Sequence, residues 1–202
     1  SVSGAEGEPW LGDVLARGIF SPVNRKPLFR DELMDERDYY PDDYLAKLRD
    51  SGVNGVWIVA RLRHLAATSF VAPDPDRDRR LAKLRKVVGK CGRYGIRVWL
   101  LGIEPHRVGE DDPLYRAHPE MFSPIKWAEH VMCPCRPETE AYLEAAMKDV
   151  FTAVPGLGGW INISHGEGMT TCLSNLSGRD VDYEDWEGAK LDRKMLELLQ
   201  RY

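Results

Sequence analysis

Apolar positions along this chain come in short, nearly continuous blocks, separated by longer stretches where they recur at helical spacing. The first block, Leu15 to Phe20, is a strand ended by Ser21-Pro22. Asn24 to Tyr40, dense in Arg, Asp and Glu, reads as a long loop. A helix opens at Pro41-Asp42-Asp43, with Pro and acids where the helix dipole favours them, and Gly52 stops it. Val53 to Ala60 is a second strand, and Arg61 to Pro75 is a connection holding His64 and a Pro-Asp-Pro break.

The spacing of Leu81, Leu84, Val87 and Val88 predicts a helix over 77–94, ended by Gly95. A third strand follows at Ile96 to Ile103. Residues 107–134 form a long connection with a short helix at 114–118. A third long helix spans 137–154, with Tyr142, Leu143, Ala146, Val150 and Phe151 on its apolar face. The fourth strand is Gly159 to Ser164. A last helix, 183–202, carries Leu191, Met195, Leu198 and Leu199 as its stripe.

Strand and helix therefore alternate four times, and the strands are apolar throughout, as in sheets covered on both faces. Alternation of this kind predicts an α/β fold with a parallel sheet and right-handed crossovers. No Gly-x-Gly-x-x-Gly follows the first strand, so a dinucleotide-binding sheet has no support. The long segments all follow strands, the side on which a (βα)8 barrel keeps its chemistry. The expectation is a partial TIM-like barrel of about four βα units: residues 1–14 a flexible lead-in, residues 15–202 one α/β half-barrel domain. A full barrel takes about 250 residues. Closure then needs a second copy of the chain, as in a homodimer, or the remainder of a longer one.

A net charge of −4 and a pI near 5.8 give no reason to expect nucleic acid or a membrane surface as partner. The basic run Arg77 to Lys90 alternates with apolar residues and reads as a solvated helix face. No basic-then-apolar leader opens the chain and no apolar run reaches the length of a membrane span, and the compartment stays open. Cys91, on a predicted helix, is expected to be a small core residue. Cys133, Cys135 and Cys172 lack the spacing of a CxxC pair, so a disulfide or metal site among them rests on weak ground.

The chemistry concentrates in the run Gly158 to Met169, GGWINISHGEGM. A strand ends in Glu167, flanked by two glycines and preceded two residues earlier by His165. Such a Glu is either a general acid at a strand end or a helix-capping, solvated carboxylate. Glu104-Pro105 closes the third strand in a comparable place. Trp57 and Trp99, mid-strand, are expected in the core. Trp127, in the long third connection, is placed to stack on a sugar face or to pin its loop. Tyr39 and Tyr40 line a site or staple the following helix. His64 and His106 read as surface residues.

Taken together, Tyr94-Gly95-Ile96-Arg97-Val98, Glu104-Pro105, and Gly159 to Glu167 resemble glycoside hydrolases. The resemblance is to the first half of the family 20 (β-N-acetylhexosaminidase) barrel and its bacterial relatives. It implies that Arg17, of Arg17-Gly18, binds sugar hydroxyls and that Glu167 is the general acid in hydrolysis of an O-glycosidic bond. No organic cofactor is implied.

The chain departs from that family at one telling place. The family's Asp directly before the acid, which orients the 2-acetamido group, is Gly166 here. A different sugar or a protein nucleophile is then indicated, and Glu104 is the strand-end carboxylate available. Trp160, Trp99 and Met169 would shield Glu167, and Glu104, His165 and Trp127 would orient substrate; Arg61 is a poorer clamp than Arg17. Two rivals stand beside this reading. One is a non-catalytic carbohydrate-binding or scaffold half-barrel that lacks a nucleophile. The other is a metal-dependent hydrolase or isomerase using Glu104, His106, His165, Glu167 or the cysteines, which ranks lower because no helix face pairs two ligands.

Overall fold

The structure is a computed structural model and describes residues 15–17, 31–105, 107–122, 130–133 and 136–162. Four strands, β1 (Leu15–Arg17), β2 (Gly55–Val59), β3 (Arg97–Gly102) and β4 (Leu157–Asn162), form one sheet in the order β1-β2-β3-β4, every pair parallel. The helices are α1 (Asp42–Asp50), α2 (Leu62–Leu65), α3 (Arg77–Gly92), α4 (Pro113–Ala117) and α5 (Pro137–Ala153). The α/β class with a parallel sheet is thus as the sequence predicts. Among the described residues no helix is long and apolar enough to cross a membrane.

The helix ends follow from local chemistry. In α1, Asp42 and Asp43 sit in the first turn and Lys47 and Arg49 in the last, each where the dipole favours its sign. At its carboxyl end the Gly52 N–H donates to the Arg49 carbonyl and the Val53 N–H to the Leu48 carbonyl, both at 2.9 Å. This reversal requires φ of +79° at Gly52, which costs a glycine little. Gly95, at φ +70°, ends α3 in the same way, with the Ile96 N–H donating to the Cys91 carbonyl.

One face of the sheet carries the core. Val56 and Ile58 of β2 and Val98 and Leu100 of β3 are buried against Leu45, Leu81, Leu84, Cys91, Ala146 and Val150 from the helices. Burying each large aliphatic side chain contributes about 1.5–3 kcal/mol. Cys91 is fully buried, as its place on α3 suggests. The opposite face is different from expectation. Trp57, Val59, Trp99 and Leu101 are only half-buried, so burial alternates along β2 and β3. Trp57 and Trp99 pair across β2 and β3 on that second face and lie outside the buried core.

Two tryptophans lean on glycines of the neighbouring strand. The ladder between β3 and β4 shifts register between Val98 and Trp99. There the Trp99 ring lies across Gly158 and Gly159, and a Cβ on Gly159 would fall 2.3 Å from it. Trp160 covers Gly102 on the core side in the same manner, with 2.0 Å left for a Cβ.

Other differences are local. Residues 62–65 form a helical turn inside the predicted β2–α3 connection, and a 3₁₀ turn at Pro119–Met121 follows α4. The β3–α5 connection folds over a small core of its own, built from Val108, Leu114, Met121, Phe122, Met132 and Tyr142. The bridges Val108–His130 and Phe122–Met132 close it. On α5, Tyr142, Ala146 and Val150 are buried one turn apart, but Phe151 is exposed, one position too far round the helix. The predicted final helix, 183–202, lies outside the described residues.

Candidate functional site

A cavity of about 660 Å³ opens at the carboxyl ends of β2 and β3, between the connections that follow these strands. It falls within the range of about 300–1,000 Å³ usual for small-molecule sites. Arg61, Arg63, His64 and Asp74 come from the β2–α3 connection. Glu104, Arg107 and Asp112 come from the β3–α5 connection, and Tyr142 from α5. Pro73, Pro75, Leu114 and Met132 supply apolar wall.

Glu104 is the sequence-predicted site residue that the structure places in this cavity. It is 6% exposed, and its Oε1 accepts the Leu62 N–H at 2.7 Å, satisfying an otherwise orphaned donor at the start of α2. Its backbone is gripped from β4. The Glu104 N–H donates to Asn162 Oδ1 at 3.0 Å, and Asn162 Nδ2 donates to the Glu104 carbonyl at 2.8 Å. One amide side chain thus continues the β3–β4 ladder past its end and fixes where the carboxylate emerges. Asn162 was missed by sequence reasoning, which places it inside the fourth strand and not at its end.

The remaining predicted residues divide cleanly. Arg17 closes β1 in register with Trp57, which pairs with Trp99, so the three occupy one row across the sheet. Glu167, His165 and Trp127 lie outside the described residues, as do His106, Cys135 and Cys172. Cys133 is buried beside the small second core. Tyr40 packs into the main core, and Tyr39 Oη donates to Asp35 at 2.6 Å. Among the described residues no three of His, Cys, Asp and Glu gather closely enough to hold a metal ion.

His64, read from sequence as a surface residue, stands half-buried in the wall between this cavity and a smaller one of about 250 Å³ that also reaches Asp31 and Arg80. Burial, then the charges of Arg80 and Arg61, hold its pKa below the ordinary 6.5, against the pull of Asp74 at 3.9 Å. The imidazole is therefore neutral at pH 7.

Behind it, buried Arg80 donates to Asp31 at 2.8 Å and to Asp74 at 2.6 Å. Burial disfavours the Asp74 anion, yet the Asp76 N–H and the Arg80 guanidinium outweigh it and keep the carboxyl below its usual pKa. Asp112 is bound to Arg63 and caps α4 through the Leu114 N–H. Burial first, and then the Glu104 charge, raise the Tyr142 phenol well above its ordinary pKa, so it stays a hydrogen-bond donor.

No family model matches this chain, and no curated protein matches it. Among solved structures, the crystal structure of a beta-N-acetylhexosaminidase is similar over 59% of this chain, at 17% identity and a TM-score of 0.29. The chain spans about a third of that structure's length, 32%. A likeness this thin carries no argument about activity.

Proposed function

We propose that the chain is the first half of a TIM-like (βα)8 unit that hydrolyses O-glycosidic bonds. Glu167 is the general acid, and Arg17, Glu104, His165 and Trp127 orient the sugar. The observation that carries this reading is the strand order. Each strand pairs in parallel with its sequence neighbour, without the reversal that marks a doubly wound sheet. Winding of that kind delivers every strand's carboxyl end to one rim, where barrel enzymes keep their catalytic groups. Glu104 and its cavity stand on that rim, and the chain reaches Glu167 five residues past Asn162, the end of β4.

The resemblance to family 20 barrels supplies the reaction class. The glycine at 166 removes the group that would hold a 2-acetamido nucleophile, so the sugar is one that does not depend on it. Barrel closure falls to a second copy or to further chain, which the mass in solution separates.

The test is turnover of a panel of aryl glycosides by wild type and Glu167→Gln. Loss of a general acid lowers the rate by about 10²–10⁴-fold. Equal rates in the two proteins, or no turnover by wild type, would remove the hydrolase reading. A second reading, a half-barrel that binds carbohydrate without cleaving it, is favoured by the structural duty of Glu104: its carboxylate already accepts the Leu62 N–H. It predicts sugar binding in both proteins with turnover in neither.

A further inference from the structure

The polar groups around the 660 Å³ cavity are unequally engaged. Its three carboxylates are all held by donors of the fold: Asp74 by Arg80, Asp112 by Arg63 and the Leu114 N–H, and Glu104 by the Leu62 N–H. Arg63 is consumed by Asp112 in turn. Arg61 differs. It is exposed, it lines both this cavity and the smaller one, and no carboxylate is bonded to it among the described residues. It also sits immediately before Leu62, whose N–H binds Glu104, so its backbone is fixed against the rim.

A guanidinium whose fork no carboxylate occupies recognises a planar carboxylate through two parallel hydrogen bonds. The cavity walls carry three acids and three arginines, and with Arg63 bound by Asp112 and Arg107 also engaged, Arg61 is left to match a single negative charge, where a phosphate dianion would bring one more than it can meet. The same cavity is lined by groups suited to a sugar ring: Tyr142, Glu104, and apolar wall from Pro73, Pro75 and Met132.

We propose that this cavity takes a sugar bearing one carboxylate, a uronic acid unit, and that Arg61 binds that carboxylate. The proposal rests on the glycoside-hydrolase reading for the choice of a sugar and adds the class of sugar. Arg61 is a specificity-determining residue here.

Calorimetric titration of the full chain with D-glucuronate and D-galacturonate, against D-glucose and D-galactose, tests it. Wild type is expected to bind a uronate at least tenfold more tightly than its neutral counterpart, with the preference shrinking as salt rises. Arg61→Met should abolish the preference, and Arg61→Lys, which keeps the charge but loses the fork, should retain part of it. Circular dichroism and melting temperature confirm that both variants fold. Equal affinity for acidic and neutral sugars, no binding of either, or a preference unchanged in Arg61→Met would overturn the proposal.

The two readings fail separately. Glu167-dependent cleavage of neutral glycosides with no uronate preference sinks the acidic-sugar assignment alone. Uronate preference without turnover sinks the hydrolase alone.

Discussion

At the scale of single residues, the rim is set by a pairing between Glu104 and Asn162. The Asn162 amide presents an acceptor to one backbone group of Glu104 and a donor to the other, as a further strand residue would. Asn162→Asp keeps the acceptor and loses the donor, and turns a carboxylate toward the Glu104 carbonyl. Because position 162 is exposed and water can compensate, the expected loss in urea unfolding is about 1 kcal/mol. Site geometry should suffer more than stability, so any rate measured on the aryl glycoside panel should fall by more than unfolding alone explains. An unchanged rate would show that Glu104 is not held for chemistry. Glu104 was legible in the sequence because it ends an apolar strand. Its partner 58 residues away was not, since nothing in the local pattern says which neighbouring strand end will supply the matching amide.

Elements were legible where local rules and tertiary packing agree. The long helices carry apolar positions one turn apart, and the reversals at Gly52 and Gly95 announce their own ends. The helical turn at 62–65 escaped notice because four residues give no period, and its first N–H is satisfied by Glu104 rather than by a local cap. The tryptophans were misplaced for another reason: a continuous apolar strand does not say which of its faces the helices cover.

What the sequence did hold, unread, was the run of glycines opposite Trp99. Gly159→Ala puts a methyl 2.3 Å from that ring, and the ring must move or the β3–β4 ladder must part. Overpacking of this kind costs about 1–3 kcal/mol. The expected outcome is a lowered melting temperature with altered near-ultraviolet circular dichroism from Trp99. A variant with both unchanged would mean that the ring does not lie on the glycine in solution.

For the whole molecule, the perturbed groups define a window of pH in which the fold is strongest. Burial and the Arg80 charge hold His64 below 6.5, so on acidification the unfolded chain takes up its proton before the native one does. Stability is complete above the unfolded value and falls as pH drops through the native one. Asp38 adds a second, more acid loss. Its carboxyl is held below the usual 3.8, first by the Lys90 hydrogen bond, with burial opposing and the Tyr40 N–H assisting. Asp74 behaves likewise, since burial is overcome by its N–H and arginine partners.

On the alkaline side the sign reverses. Burial pushes the Cys91 thiol from 9.0 up to about 11, and burial with the Glu32 charge raises the Tyr40 phenol further still. The unfolded chain therefore loses these protons first, and stability declines as pH rises past about 9. Melting temperature should accordingly show a plateau between about pH 7 and pH 9, with an acid limb in two stages. His64→Gln should erase the stage that begins below pH 6.5 and leave the lower one intact. If the upper stage survives that substitution, His64 is not the group that sets it.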